Sequence, residues 1–188
     1  MSRSRWHGFA ARLAATLVLA GLSFAITLEP AAAVDIELKD VAPDRVERQR
    51  LHGYGHPMPG TPDLGAIDAR LAAKGLVKGS PVFIRIFKVE SELELWIRKG
   101  DRFVLFETYP MCHWSGTLGP KVREGDNQSP EGVYAVTLRE MQLRGKWRRA
   151  FNIGYPNPLD RLMSRTGSFI LVHGGCSSIG CFAMTNPV

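Results

Sequence analysis

Cysteine is scarce in this 188-residue chain, with three residues at Cys112, Cys176 and Cys181. So few excludes a disulfide-stapled scaffold, and the odd number leaves at least one thiol without a partner in the same chain. Long apolar runs are also lacking. The stretch from Leu13 to Leu28 is apolar apart from small polar residues, and it is short for a spanning helix, which needs roughly 20 apolar residues. It follows Arg3, Arg5 and Arg12 and precedes Ala31-Ala32-Ala33. That is the pattern of a secretory signal cleaved after Ala33. No cysteine lies near the cut, which argues against a lipoprotein anchor, and the leader lacks an Arg-Arg pair, which leaves ordinary unfolded export. The expected location is the periplasm or cell envelope, with no stable membrane insertion after cleavage. No basic stripe is present. The net charge of +6 falls to about +4 without the leader, a value that a solvated surface explains, and nucleic acid is not an expected partner. The densest basic cluster, Lys146, Arg148 and Arg149 around Trp147, is strand-like. Metal-ligand sets are missing too. His52 and His56 stand four apart, but Pro57 and the surrounding glycines break any helix and no third ligand is near.

What is present reads as one modest domain with a core, without repeats or low-complexity segments. Residues 1–33 are the signal, 34–61 a polar and then Gly/Pro-rich linker, and 62–188 the folded domain. Pro62 to Lys74 is expected to be a short helix, with Thr61 as cap, Pro62 in its first position and Gly75 at its end. Alternating apolar residues predict strands over 82–89 and 93–97, joined as a hairpin, then over 102–109, 132–137, 147–153 and 168–172. Residues 115–129 and 155–166 read as exposed connections, and 138–143 as a helical turn. The expected class is mainly β with one or two small helices.

The strand predicted to end near Val172 delivers His173 into a glycine-rich turn, Gly-Gly-Cys176-Ser-Ser-Ile-Gly-Cys181. Only a thiolate attacks carbonyls well, and a histidine within hydrogen-bond reach can take the thiol proton. The residues between His173 and Cys181 are small and bendable enough to fold one back onto the other. Cys181 follows Gly180, which allows close approach of substrate and lets backbone N–H groups face an oxyanion. Read from the residues alone, these cysteines could equally be buried thiols or a disulfide, Cys176–Cys181 or Cys112–Cys176, and His173 a satisfied core histidine.

His173-Gly174 followed by Ser178-Ile179-Gly180-Cys181-Phe182-Ala183-Met184 resembles the signature of the L,D-transpeptidase catalytic-domain (YkuD) family. Ser129-Pro-Glu-Gly-Val-Tyr134 resembles that family's turn and strand upstream, and 115–126 the loop before it. The short gap, the Cys-Ser-Ser-x-Gly-Cys turn and the hairpin from Phe87 to Trp96 are similar to its YafK-like branch. The resemblance covers about Asp63 to the C-terminus and implies a β-sandwich. It implies Cys181 as nucleophile, His173 as base, Gly174 as the residue whose backbone orients the imidazole, and Ser178 and Gly180 as supporting and oxyanion residues. With Cys181 free on that basis, Cys112–Cys176 is the implied disulfide. Arg161, Arg165 and Tyr155 are the candidates for gripping substrate. The implied activity is acyl transfer on peptidoglycan stem tetrapeptides through a thioester, in cross-linking or protein attachment, with no metal and no organic cofactor. An envelope protein or lipoprotein would be acyl acceptor or leaving group. The alternatives are a hydrolase or amidase of the same fold, and a non-catalytic wall-binding domain. The sequence departs from the family pattern at Ile179, where a histidine is usual, and at Ala183. It ends seven residues after Cys181, which suggests a truncated domain.

Overall fold

The computed structural model describes residues 56–144, 146 and 149–188. The signal-like leader, most of the 34–61 linker with His52, and Trp147 at the start of one expected strand lie outside the described residues.

Helix α1 spans Ile67–Ala73. Strands β1 (Val82–Phe87), β2 (Glu92–Lys99) and β3 (Arg102–Pro110) form an antiparallel sheet in the order β1-β2-β3. Its register pairs apolar residues of like spacing, Ile84 with Leu95 and Ile86 with Leu93, so one face is apolar along its length. Gly100, at φ 60°, lies in the turn that closes β2 onto β3, a conformation glycine adopts without a Cβ clash. Leu71 and Leu76 pack on Ile97 and Phe106 and hold α1 on this sheet.

The second sheet is built from very short strands in the order β4-β8-β7-β6-β5: β4 His113–Trp114, β5 Met141–Gln142, β6 Ala150–Asn152, β7 Leu171–His173 and β8 Phe182–Ala183. Helix α2 (Pro158–Leu162) precedes β7. Paired residues share a face. One row is therefore Trp114, Phe182, Val172 and Phe151, and the neighbouring row holds His113, Ala183 and His173. Trp114, Phe182 and Val172 join Leu93 and Tyr109 of the first sheet in one core, so the two sheets share their inner faces. Trp114 is fully buried, and deleting such a ring costs about 3–5 kcal/mol. The alternation thus directs the row containing His173 to the other face of the sheet. Among the described residues the fold is mainly β, with two short α-helices and one 3-10 turn at Leu138–Glu140. Among the described residues, no helix is long and apolar enough to cross a membrane.

Several elements differ from expectation. Helix α1 begins at Ile67, not Pro62, because Asp63 Oδ1 accepts the Gly65 N–H at 2.8 Å and forms a local turn that competes with the helix. Residues 132–137 form no strand, and Val133 is 86% exposed, so its apolar alternation has nothing to pack on. The strand near 168–172 is shifted to Leu171–His173, and β4 and β8 are additional.

Candidate active site

Strand β7 ends on His173, and β8 begins just after Cys181 and runs parallel to it, His173 opposite Ala183. Parallel neighbours ordinarily need a crossover of about a dozen residues or more. Here residues 174–181 suffice because the strands are short and Gly175, Cys176 and Gly180 all take positive φ. The turn is held at two points. The Cys176 N–H donates to the Met184 carbonyl at 3.1 Å. A disulfide joins Cys176 to Cys112 beside β4, with Cα atoms 5.2 Å apart, and both cysteines are buried against Met58. Cys181 is the free thiol.

The His173 imidazole is buried, and its Nδ1 lies 2.5 Å from the Gly174 carbonyl. A carbonyl can only accept, so Nδ1 carries the proton and Nε2 presents a lone pair. Burial holds His173 below its ordinary pKa, partly offset by the Gly174 carbonyl and reinforced by the Lys146 charge. It is therefore a neutral base at neutral pH. A Cβ on Gly174 would meet Asn186 Oδ1 at 2.7 Å and the Asn186 Cα at 3.3 Å, so the carbonyl that orients the ring sits under the C-terminal segment.

The Cys181 sulfur accepts from the Leu171 N–H at 3.4 Å, and its S–H faces the Phe169 carbonyl at 3.9 Å. Burial pushes the thiol up, opposed by the Leu171 N–H and the charge of Lys121. The imidazole is not among its hydrogen-bond partners within the described residues. Strand spacing puts the two Cα atoms about 8 Å apart, roughly 4.8 Å across and two residues along.

The supporting residues occupy specific places. Ser178 Oγ donates to the Cys181 carbonyl at 2.7 Å and accepts the Gly180 N–H at 3.0 Å. The Gly180 amide expected to face an oxyanion is thus engaged within the turn. Gly180, at φ 141°, packs against Ile170 and the Gln128 carbonyl. Ile179, in the place of the motif's histidine, is 81% exposed. A second hydroxyl, that of Ser129, also donates to the Cys181 carbonyl, at 2.9 Å. The sequence places Ser129 at the head of the 129–134 turn but gives it no role at the site, because its contact with Cys181 spans 52 residues and is made only by tertiary packing. Among the described residues, no group of three or more His, Cys, Asp and Glu side chains is arranged to hold a metal ion.

No family model matches the chain. A protein of Escherichia coli K12 named "Putative L,D-transpeptidase YafK" is 45% identical over 113 residues, 60% of this chain and 46% of its own length. Its counterpart in strain O157:H7 matches equally. Over that stretch the chain is similar to these two proteins named as putative L,D-transpeptidases. It spans a little under half the length of those curated relatives. Solved structures also resemble it. The helical cell shape determining protein Pgp2 of Campylobacter jejuni has a TM-score of 0.41 at 22% identity, covering 66% of this chain and 49% of its own. Bd1075 of Bdellovibrio bacteriovorus has a TM-score of 0.40 at 24% identity, covering 57% and 41%.

The three residues expected to grip substrate each have intramolecular partners. Tyr155 is in the core, its hydroxyl donating to the Lys121 carbonyl at 3.1 Å. Arg165 is paired with the buried Asp160 at 2.9 Å, and that carboxylate also receives the Tyr134 hydroxyl. Arg161 donates to the Pro156 carbonyl. These partners tie Tyr155 into the core and link Arg165 to α2 through Asp160.

Proposed function

We infer that the chain is an exported, cysteine-dependent acyltransferase of peptidoglycan, an L,D-transpeptidase in which Cys181 attacks and His173 is the base. The observation that carries this reading is the pairing of β7 with β8. It sets a neutral imidazole, its Nε2 lone pair fixed by the Nδ1–Gly174 hydrogen bond, on the strand beside the free thiol.

Cys181 turns from the Leu171 amide toward His173, and Nε2 takes the thiol proton. The thiolate adds to the carbonyl of the third residue of a stem peptide. The imidazolium returns the proton to the departing amine as the tetrahedral intermediate collapses to a thioester. An incoming amine, deprotonated by the same imidazole, then releases the thiol and forms a new amide. The acceptor would be a second stem peptide or an envelope protein; water in its place would give hydrolysis. The test is incubation of the chain with tetrapeptide muropeptides and mass analysis of the products. Cross-linked dimers that disappear in Cys181→Ala support transpeptidation. Shortened monomers alone would replace it with hydrolysis, and no product from a protein with a free Cys181 thiol would overturn the catalytic reading.

A further inference from the structure

We propose that Ser129, supported by Ser115, is a positioning residue that fixes the backbone of the nucleophile. This rests on Cys181 being the nucleophile, and it adds two residues remote from the turn to the site.

Two hydroxyls converge on the Cys181 carbonyl. Ser129 is fully buried, and its Oγ donates to that carbonyl at 2.9 Å. Ser178 Oγ donates to it from the other side at 2.7 Å. Both lone pairs of one carbonyl oxygen are thus filled by hydroxyls from opposite ends of the site. Ser129 is itself fixed by Ser115: the Ser115 N–H donates to Ser129 Oγ at 3.1 Å, and the Ser129 N–H donates to the Ser115 carbonyl at 2.9 Å.

The proton directions follow. A serine hydroxyl has one proton. Ser178 spends its proton on the Cys181 carbonyl, and its Oγ also accepts from the Gly180 N–H. In the 3.0 Å contact between Ser115 Oγ and Ser178 Oγ, the donor is therefore Ser115. Ser115 feeds both hydroxyls that hold the carbonyl, one through its side chain and one through its amide. Each link polarises the next in the same sense. The peptide plane after Cys181 is consequently fixed by hydrogen bonds on both sides, and with it the cone from which the thiol leaves the backbone.

The full chain and three variants test this, Ser129→Ala, Ser129→Thr and Ser115→Ala, by two rates measured at Cys181. Acylation by a carbapenem needs a defined line of approach; alkylation by iodoacetamide needs only an accessible thiolate. Ser129→Ala is expected to slow acylation about tenfold, the weight of one hydrogen bond, with alkylation changed by less than about twofold. Ser129→Thr, which keeps the hydroxyl, should recover most of the acylation rate, and Ser115→Ala should slow it about threefold through the weakened chain. Equal changes in both rates, or no change in acylation, overturn the proposal. If Ser129→Ala does not fold, Ser115→Ala decides by the same ratio. A wild-type thiol that takes iodoacetamide but no carbapenem would instead remove the acyl-transfer reading and this proposal with it.

Discussion

Asp126 anchors the loop that presents Ser129, and its replacement by asparagine is expected to unpin that loop. Asp126 Oδ1 accepts from Lys121 Nζ at 2.5 Å and the Gln128 N–H at 3.0 Å; Oδ2 accepts from the N–H groups of Val122 and Arg123 at 2.9 and 3.0 Å. Burial alone would raise its pKa, but the backbone donors and the Lys121 ammonium outweigh it and hold the carboxyl well below the usual range. The Lys121 side chain is only 3% exposed, so Asp126→Asn leaves a buried cation without its counter-charge and turns an amide N–H₂ against backbone donors. Breaking such a pair from one side costs about 3–5 kcal/mol; the low end applies, because Val122 and Arg123 are exposed. About 3 kcal/mol corresponds to a Tm loss of roughly 10 °C in a domain of this size. The pH dependence fixes the sign. A carboxylate whose folded pKa is depressed stabilises fully above its unfolded value of about 3.9, and that contribution is lost as pH falls through the folded value. Calorimetry should therefore show the full gap between wild type and variant at pH 5 to 7 and a narrowing gap below about pH 4. A Tm loss under about 3 °C at pH 7, or a gap constant down to pH 2, would refute the reasoning.

Other perturbations probe the turn itself. The Cys112–Cys176 bridge spans a sequence separation of 64 residues, so replacing both cysteines by alanine should cost about 4 kcal/mol in urea unfolding on the chain-entropy estimate; a cost under about 1 kcal/mol would mean the turn holds without it. Gly174→Ala places a methyl against the Asn186 backbone and should lower stability by about 1–3 kcal/mol, recovered in part by Asn186→Gly; thermal melts of both variants check this. Burial holds the Cys181 thiol above its ordinary pKa, so the pH midpoint of its iodoacetamide alkylation should lie above that of a free cysteine. A midpoint near neutrality would show a preformed thiolate–imidazolium pair in the resting protein.

The first sheet was legible because its information is local. Ile84, Ile86, Leu93, Leu95 and Ile97 alternate over enough residues to declare both period and face. Strands β4 and β8 have two residues each and cannot carry a period; they exist because His113–Trp114 and Phe182–Ala183 meet across a long stretch of sequence. The start of α1 differs because the Asp63 side chain outcompetes the helix, and α2 lies where an exposed connection is expected, its Asn157 and Asp160 forming a reciprocal cap around Pro158 that the proline-rich composition masks. Within the site, the resemblance carried by His173-Gly174 and by Ser178 to Met184 points to the proposed pair, since both residues lie in one short segment. What holds them comes from elsewhere. Ser129 reaches Cys181 only through tertiary packing, and Tyr155 looks exposed in a proline-rich stretch until the Lys121 and Thr166 carbonyls are seen to accept its hydroxyl.

The central claim is that Cys181 forms an acyl-enzyme with His173 as its base. Trapping the chain with a tetrapeptide muropeptide, followed by intact-mass and peptide analysis, tests it most directly. A hydroxylamine-labile adduct is expected on the Cys181 peptide, absent in Cys181→Ala and much slower to form in His173→Ala. An adduct that persists in Cys181→Ala, or none at all from a protein whose Cys181 thiol is shown to be free, would contradict it.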